Sequence, residues 1–497
     1  MPNIDAFEIE LLAKGNFPGG IIVNLNSNDP DTIKAQVQSY LTNNGYKITK
    51  AVALPSQPGQ LFFRFVRDNG DAVDGSTNIQ VIREVNRILL SPDAGVRGTP
   101  ASATGPVSLT IPAPGSPANP STTGGAGSIP SPFGNNNCNQ FDLNFALQQP
   151  YFQGIVPEAV QNTNVRVVVL DSSPYGNQPP QFLGRLAALL AIDHSPFVQH
   201  FLNNGTPTIT LLPDPDATSG TTSSQKEISS HGLFIASIIK TIAPEATVEV
   251  HPVLGRDGAI ILSDLVDYVN LLKPQAVGNQ QLLVNISATT QVTDTADHFA
   301  SIIPELRPFS GDELEGFATT AEIDLNAHQA IADFAAVNRR IIAAAGNDGI
   351  DSVGKPWPGF PARVKGVLSV GAVDRGGVTT DYTNLARIPA GLSADAQTRL
   401  TNSLEVTDNG IYAFGGVPRY GVNGLYVHPG FPNLPGQSND CGAAYWAGTS
   451  FATAITTGYM AWLCLRGFTA EQAYQQMLSL PVGADGIPRL LVNQNVT

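Results

Sequence analysis

Residues 165–173 read Val-Arg-Val-Val-Val-Leu-Asp-Ser-Ser. The run is short, rich in β-branched residues and almost continuously apolar up to Leu170. Such a run suits a strand buried on both faces, as in a parallel sheet covered by helices. It ends on Asp171. In open α/β sheets, binding groups gather outside the carboxyl ends of the strands. Asp171 is therefore a candidate functional acid, although alone it reads first as a strand terminator or a helix cap.

Working outward, the same pattern recurs. Strands are expected over 247–253, 282–287, 340–345 and 367–373. Helices are expected over 263–272, 321–337, 449–465 and 469–478, with another over 182–192. Strands alternating with helices predict an α/β fold, a parallel sheet with helices on both faces. Upstream, the spacing predicts strand 20–25, helix 31–43, strands 48–54 and 61–66, helix 77–90 and strand 107–111. That β-α-β-β-α-β order is the ferredoxin-like pattern of a small α+β domain. Between the two units, residues 112–137 are rich in Pro, Gly, Ser and Asn without periodicity, and read as a linker. The expected organisation is thus 1–111 as a small N-terminal domain, 112–139 as linker and 140–497 as the larger domain.

Three further motifs carry chemistry. Residues 229–246, SSHGLFIASIIKTIAPEA, put His231 at the start of an amphipathic helix. An imidazole there can move protons as a general base and acid. Residues 448–458, GTSFATAITTG, put Ser450 at a helix N-terminus, where amides and the helix dipole favour developing negative charge. Residues 340–349, RIIAAAGNDG, put Asn347 just past an apolar strand. Asn-Asp-Gly is first a turn signal. A side-chain amide at such a point can also donate to a tetrahedral oxyanion.

Together with 282–288, LLVNISA, these blocks resemble the signature blocks of the subtilase family, in the family's order Asp…His…Ser. The resemblance covers about residues 140–480. It implies a subtilisin-like serine endopeptidase with Asp171, His231 and Ser450 as triad and Asn347 as oxyanion donor. It also implies that Ser287, Ala288 and Thr289 line one wall of the primary specificity pocket, with Ala344, Ala345 and Gly346 along the other. The N-terminal unit is similar to an inhibitory propeptide of that family, which implies an intramolecular inhibitor cleaved in or near the linker; the alternative is an unrelated accessory domain. The chain departs from the family pattern at Ser173 and Thr289, where the family usually has Gly, at Ala454, where it has Pro, and at Leu233, where it has Thr. The alternatives are a non-catalytic peptide-binding module on a protease fold, and an esterase or amidase. No G-x-S-x-G elbow surrounds Ser450, which counts against the α/β-hydrolase version.

Composition bounds the rest. With 42% hydrophobic and only 14% charged residues, the 497-residue chain can bury a large core. A net charge of −14 makes nucleic acid a poor partner, because phosphate binding needs clustered cations; protein or peptide substrates are the expected partners. Three cysteines leave room for one bridge, such as Cys138–Cys441, and Cys464 sits in an apolar run. No HExxH or Cys/His zinc spacing occurs, so no cofactor is expected; structural calcium is not readable from the sequence. The long stretches at 213–226 and 409–447 read as loops, some of which are expected to wall the active-site cleft and narrow the substrate range. The first seventeen residues lack a basic region followed by an apolar stretch, and no run of about 18 apolar residues occurs anywhere. The expectation is a cytoplasmic protein without a membrane span, or a secreted one if a leader precedes this sequence.

Overall fold

The computed structural model describes residues 20–24, 30–53, 60–71, 73, 81, 85, 113–114, 131–132, 160–162, 164–173, 201–203, 206–212, 230–254, 259–260, 262–278, 281–289, 329–337, 340–347, 349, 355, 357–387, 409–417, 421–426 and 443–490. In the N-terminal part, β1 (Gly20–Asn24), α1 (Pro30–Asn43), β2 (Tyr46–Ala53) and β3 (Gln60–Arg67) follow one another. They form an antiparallel sheet of order β1-β3-β2. Ile33, Val37 and Leu41 of α1 pack on Phe63 and Phe65, joined by Val81 and Val85. The last expected strand, 107–111, lies outside the described residues.

Two short strands follow, β4 (Ala113–Pro114) and β5 (Ser131–Pro132). Then comes β6 (Arg166–Asp171), a small hairpin of β7 (Leu202–Asn203) and β8 (Thr206–Pro207), and β9 (Ile209–Leu211). Helix α2 (His231–Ile242) leads to β10 (Thr247–Pro252), β11 (Ala259–Ile260), α3 (Leu262–Gly278), β12 (Leu282–Ile286), a helix α4 over 329–336 and β13 (Ile341–Ala344). The chain continues through β14 (Leu368–Val373), β15 (Gly410–Phe414), β16 (Val422–Leu425), β17 (Ala443–Trp446), α5 (Thr449–Leu465), α6 (Ala470–Leu478) and β18 (Arg489–Leu490).

Eight strands make one sheet of order β18-β15-β14-β13-β12-β6-β10-β9, and every pairing in it is parallel. Side chains alternate between the faces of a strand, and the core divides accordingly. Val167 and Val169 of β6, Leu283 of β12 and Ile342 of β13 enter one apolar cluster with α2, α5 and α6. Val168 and Leu170, Val284 and Ile286, and Ile341 and Ala343 enter a second cluster with α3 and α4. The same count of two carries Asp171, Asn285 and Ser287 onto the face covered by α2 and α5. Strand register therefore aims these polar groups at the two helices that carry His231 and Ser450.

Some expectations shift. The helix expected to stop at 272 runs to Gly278, through Pro274; Leu272 and Ala276 are buried against the sheet, and that packing outweighs proline's lost donor. Part of the 409–447 stretch is not loop. Residues 410–414 are a wholly buried sheet strand, and 422–425 pair antiparallel with 443–446. Its many glycines obscured strands whose small residues fit under neighbouring backbone; a Cβ on Gly410 would lie 1.9 Å from the Ala386 carbonyl oxygen. The stretch read as linker contains β4 and β5, pairs too short to leave a periodic signature. Among the described residues no helix is long and apolar enough to cross a membrane.

Candidate active site

Asp171 closes β6 and is fully buried. Its Oδ1 accepts three hydrogen bonds: from the Ser172 amide at 2.7 Å, from the Ser172 hydroxyl at 3.2 Å, and from His231 Nδ1 at 2.8 Å. These fix the carboxylate and the imidazole relative to one another. His231 opens α2, also fully buried. The helix can start this close to Asp171 only because Gly232 follows. A Cβ there would lie 2.2 Å from the Ser172 carbonyl oxygen and 3.0 Å from Asp171 Cβ.

The imidazole packs edge-on to Trp446 at 5.1 Å and tilted to Phe451 at 5.4 Å between ring centroids. Phe234 adds to this aromatic wall. Among the described residues His231 Nε2 has no hydrogen-bond partner. A buried, unpaired imidazole nitrogen is costly unless another group uses it, and here it is the atom free to take a proton.

Ser450 is the second residue of α5 and is buried. Its hydroxyl donates to the Ser287 carbonyl at 3.0 Å, and the Ser287 hydroxyl lies 3.0 Å from the Ser450 carbonyl and 2.9 Å from Asn285 Oδ1. Asn285 in turn donates to the Thr457 hydroxyl at 2.9 Å. Thr449, Thr453 and Thr457 form a polar stripe at helical spacing, with the Thr453 and Thr457 hydroxyls donating four residues back. A polar column thus runs from β12 into α5 beneath Ser450. The expected Ser450–His231 hydrogen bond is not formed, because the Ser450 proton goes to the Ser287 carbonyl.

Asn347 follows β13. Its Oδ1 accepts from the Thr449 amide at 2.9 Å and the Thr449 hydroxyl at 3.0 Å. That fixes the amide's orientation and leaves Nδ2 as donor, unpartnered among the described residues. Ala288 and Thr289 are buried, and Thr289 Oγ1 is likewise unpartnered. Ala344 and Ala345 are also buried, and Gly346 takes φ +118°, which favours glycine.

The structure therefore assembles the expected residues in pairs: Asp171 with His231, Ser450 with Ser287, and Asn347 with the residue before Ser450. It adds residues the motifs did not announce. Ser172 stood beside Asp171 and was readable as a donor. Asn384 was not: its amide donates to the Gly346 carbonyl at 2.9 Å and its side chain to the Ala345 carbonyl at 3.1 Å, across 38 residues of sequence from Gly346. Cys464 is free, and burial pushes its thiol up to about 12; Cys138 and Cys441 lie outside the described residues.

The model of the subtilase family, Peptidase_S8, matches residues 212–477. That span holds His231, Asn347 and Ser450 and begins after Asp171. Solved structures similar to this chain include a mutant of the protease domain of PatA, at 22% identity over 68% of this chain and 95% of that one, with a TM-score of 0.39. The prenylagaramide maturation protease PagA is similar at 23% identity, covering 67% and 92%, with a TM-score of 0.37. The nisin leader peptidase NisP from Lactococcus lactis is similar at 17% identity, covering 70% and 91%, with a TM-score of 0.38. Among curated proteins no relative matches.

Proposed function

The chain belongs to the subtilase family, and from that premise we propose that it is a serine endopeptidase using Asp171, His231 and Ser450, with Asn347 as oxyanion donor. The observation that carries this reading is the fully buried Asp171–His231 pair at 2.8 Å, with the opposite imidazole nitrogen unpartnered among the described residues.

The chemistry follows from the atoms. His231 Nε2 takes the Ser450 proton as Oγ attacks the scissile carbonyl carbon. Asp171 Oδ1, accepting from Nδ1, keeps the tautomer that leaves Nε2 basic and stabilises the imidazolium. Asn347 Nδ2 and the Ser450 amide at the start of α5 donate to the oxyanion. The imidazolium then protonates the leaving amine, an acyl-enzyme remains on Ser450, and water releases it by the same steps. Ser287–Thr289 and Ala344–Gly346 bind the peptide backbone and the side chain before the cut.

The N-terminal unit acts as an intramolecular inhibitor in this reading. Its support is that β4, just past that unit, pairs antiparallel with β11, with Ala113 opposite Ile260 and Pro114 opposite Ala259. Strand addition to an exposed edge is how many peptides are held. The boundaries 1–111, 112–139 and 140–497 belong to the same proposal.

The test is to incubate the full chain and its Ser450→Ala form side by side, with casein as substrate. The reading expects casein hydrolysis and chain shortening in the wild type and neither in the variant. Equal casein hydrolysis by both chains would overturn the triad. An intact, fully active wild type would overturn the inhibitor.

A further inference from the structure

We propose that Lys355 is a positioning residue for the oxyanion donor, its ammonium acting as a built-in cation that clamps the Asn347 loop onto the loop after β14. The inference rests on Asn347 serving as proposed above.

The loop that carries Asn347 leaves β13 at Ala344 and is closed at its base by the Gly359 amide donating to the Ala345 carbonyl at 2.8 Å. Lys355 lies on this loop. Its Nζ reaches the backbone carbonyls of Thr380, Thr383 and Asp381, at 2.5, 3.3 and 3.4 Å. An ammonium has three donors and no acceptor, so a cradle of carbonyls suits it. Those carbonyls lie in the short segment that leads into Asn384, which is fully buried and donates to Ala345, Gly346 and, at 3.3 Å, Trp357. The Gly349 amide adds a bond to the Tyr382 carbonyl at 2.9 Å. There is no room to spare, since a Cβ on Gly349 would lie 2.5 Å from the Asp381 carbonyl oxygen.

Segment 380–384 is thus stitched to the Asn347 loop on both sides of Asn347. Three converging carbonyl dipoles repel one another unless a cation sits between them. Without the ammonium, the segment relaxes, Asn384 loosens its hold on Ala345 and Gly346, and the Asn347 amide drifts from the oxyanion position. An oxyanion donor acts in the transition state more than in substrate binding, so kcat falls more than KM rises.

The experiment compares full-chain wild type, Lys355→Ala, Lys355→Met and Asn347→Ala on a peptide substrate in choline chloride or ammonium chloride. A displacement of about an ångström costs up to roughly 100-fold, so both Lys355 variants are expected to lose about tenfold or more in kcat. Ammonium restores most of the loss in Lys355→Ala, whose emptied cradle admits the ion, and none in Lys355→Met, whose apolar stem still fills the path. Wild-type kcat in folded Lys355→Met, or a loss in Lys355→Ala that ammonium does not move, overturns the clamp. Should the Ala form not fold, the Met form alone decides. An unchanged kcat in Asn347→Ala overturns the oxyanion reading itself; a lowered kcat there with wild-type kcat in both Lys355 variants overturns only the clamp.

Discussion

Asp171 and His231 meet as a hydrogen-bonded pair because Gly232 lets α2 begin against the end of β6. The contact is backbone to backbone, so nothing flexible can give way. Gly232→Ala is expected to push His231 off Asp171. A misplacement of about 1 Å at such a site costs roughly 100-fold, and kcat/KM should fall by at least that factor. Thermal melting should fall with it, because a methyl inserted into a closed contact costs about 1 to 3 kcal/mol. An active, equally stable variant would mean that the close approach does not set the geometry. Asn347 repeats the lesson in another form. Its amide is aimed by two bonds from Thr449, the neighbour of the proposed nucleophile, so donor and nucleophile share one anchor.

Among elements, α5 and α2 decide how the site halves meet. Every residue of α5 except Trp462 is buried, and the helix touches α2 where Gly458 faces Ile242. A Cβ on Gly458 would lie 2.9 Å from both Ile242 Cβ and Cδ1. Alanine favours a helix interior by about 1 kcal/mol over glycine, yet Gly458→Ala is expected to destabilise the chain by about 1 to 3 kcal/mol, read by urea unfolding. A gain in stability would show that the helices can part without cost.

The pairing of β6 with β10 makes a second element-level prediction. Glu249 accepts from His251 at 3.2 Å and from Arg166 at 3.0 and 2.6 Å. The His251 hydrogen bond, helped by Arg166 and opposed by burial, lowers its carboxyl from 4.5 to about 2. A depressed folded-state pKa adds stability that is complete above the ordinary value and lost as pH falls from there through about 2. Wild-type stability should therefore drop more between pH 5 and pH 2.5 than that of Glu249→Gln. Parallel slopes for the two chains would remove Glu249 from the acid response.

At the scale of the whole molecule, the sheet and the polar motifs were legible for one reason: buried parallel strands are short, apolar runs, and the residue just past each run stands at the functional edge. Asp171 and Asn347 were singled out that way, whereas Ser287 came only from the family resemblance. What stayed hidden is carried by backbone. β15 opens on a glycine and runs out into Gly415-Gly416, β4 and β5 are two residues each, and Asn384 and Lys355 reach carbonyls, which leave no letter in the sequence. The Ser450 hydroxyl on the Ser287 carbonyl is hidden for the same reason.

The account turns on Ser450 becoming a nucleophile through His231. The direct measurement is fluorophosphonate labelling of the chain, with the adduct mapped by mass spectrometry in wild type and in His231→Ala. The account predicts a single adduct on Ser450 that forms rapidly in the wild type and at least about 1,000-fold more slowly without the imidazole. An adduct on another residue, or equal labelling rates in the two chains, would contradict it.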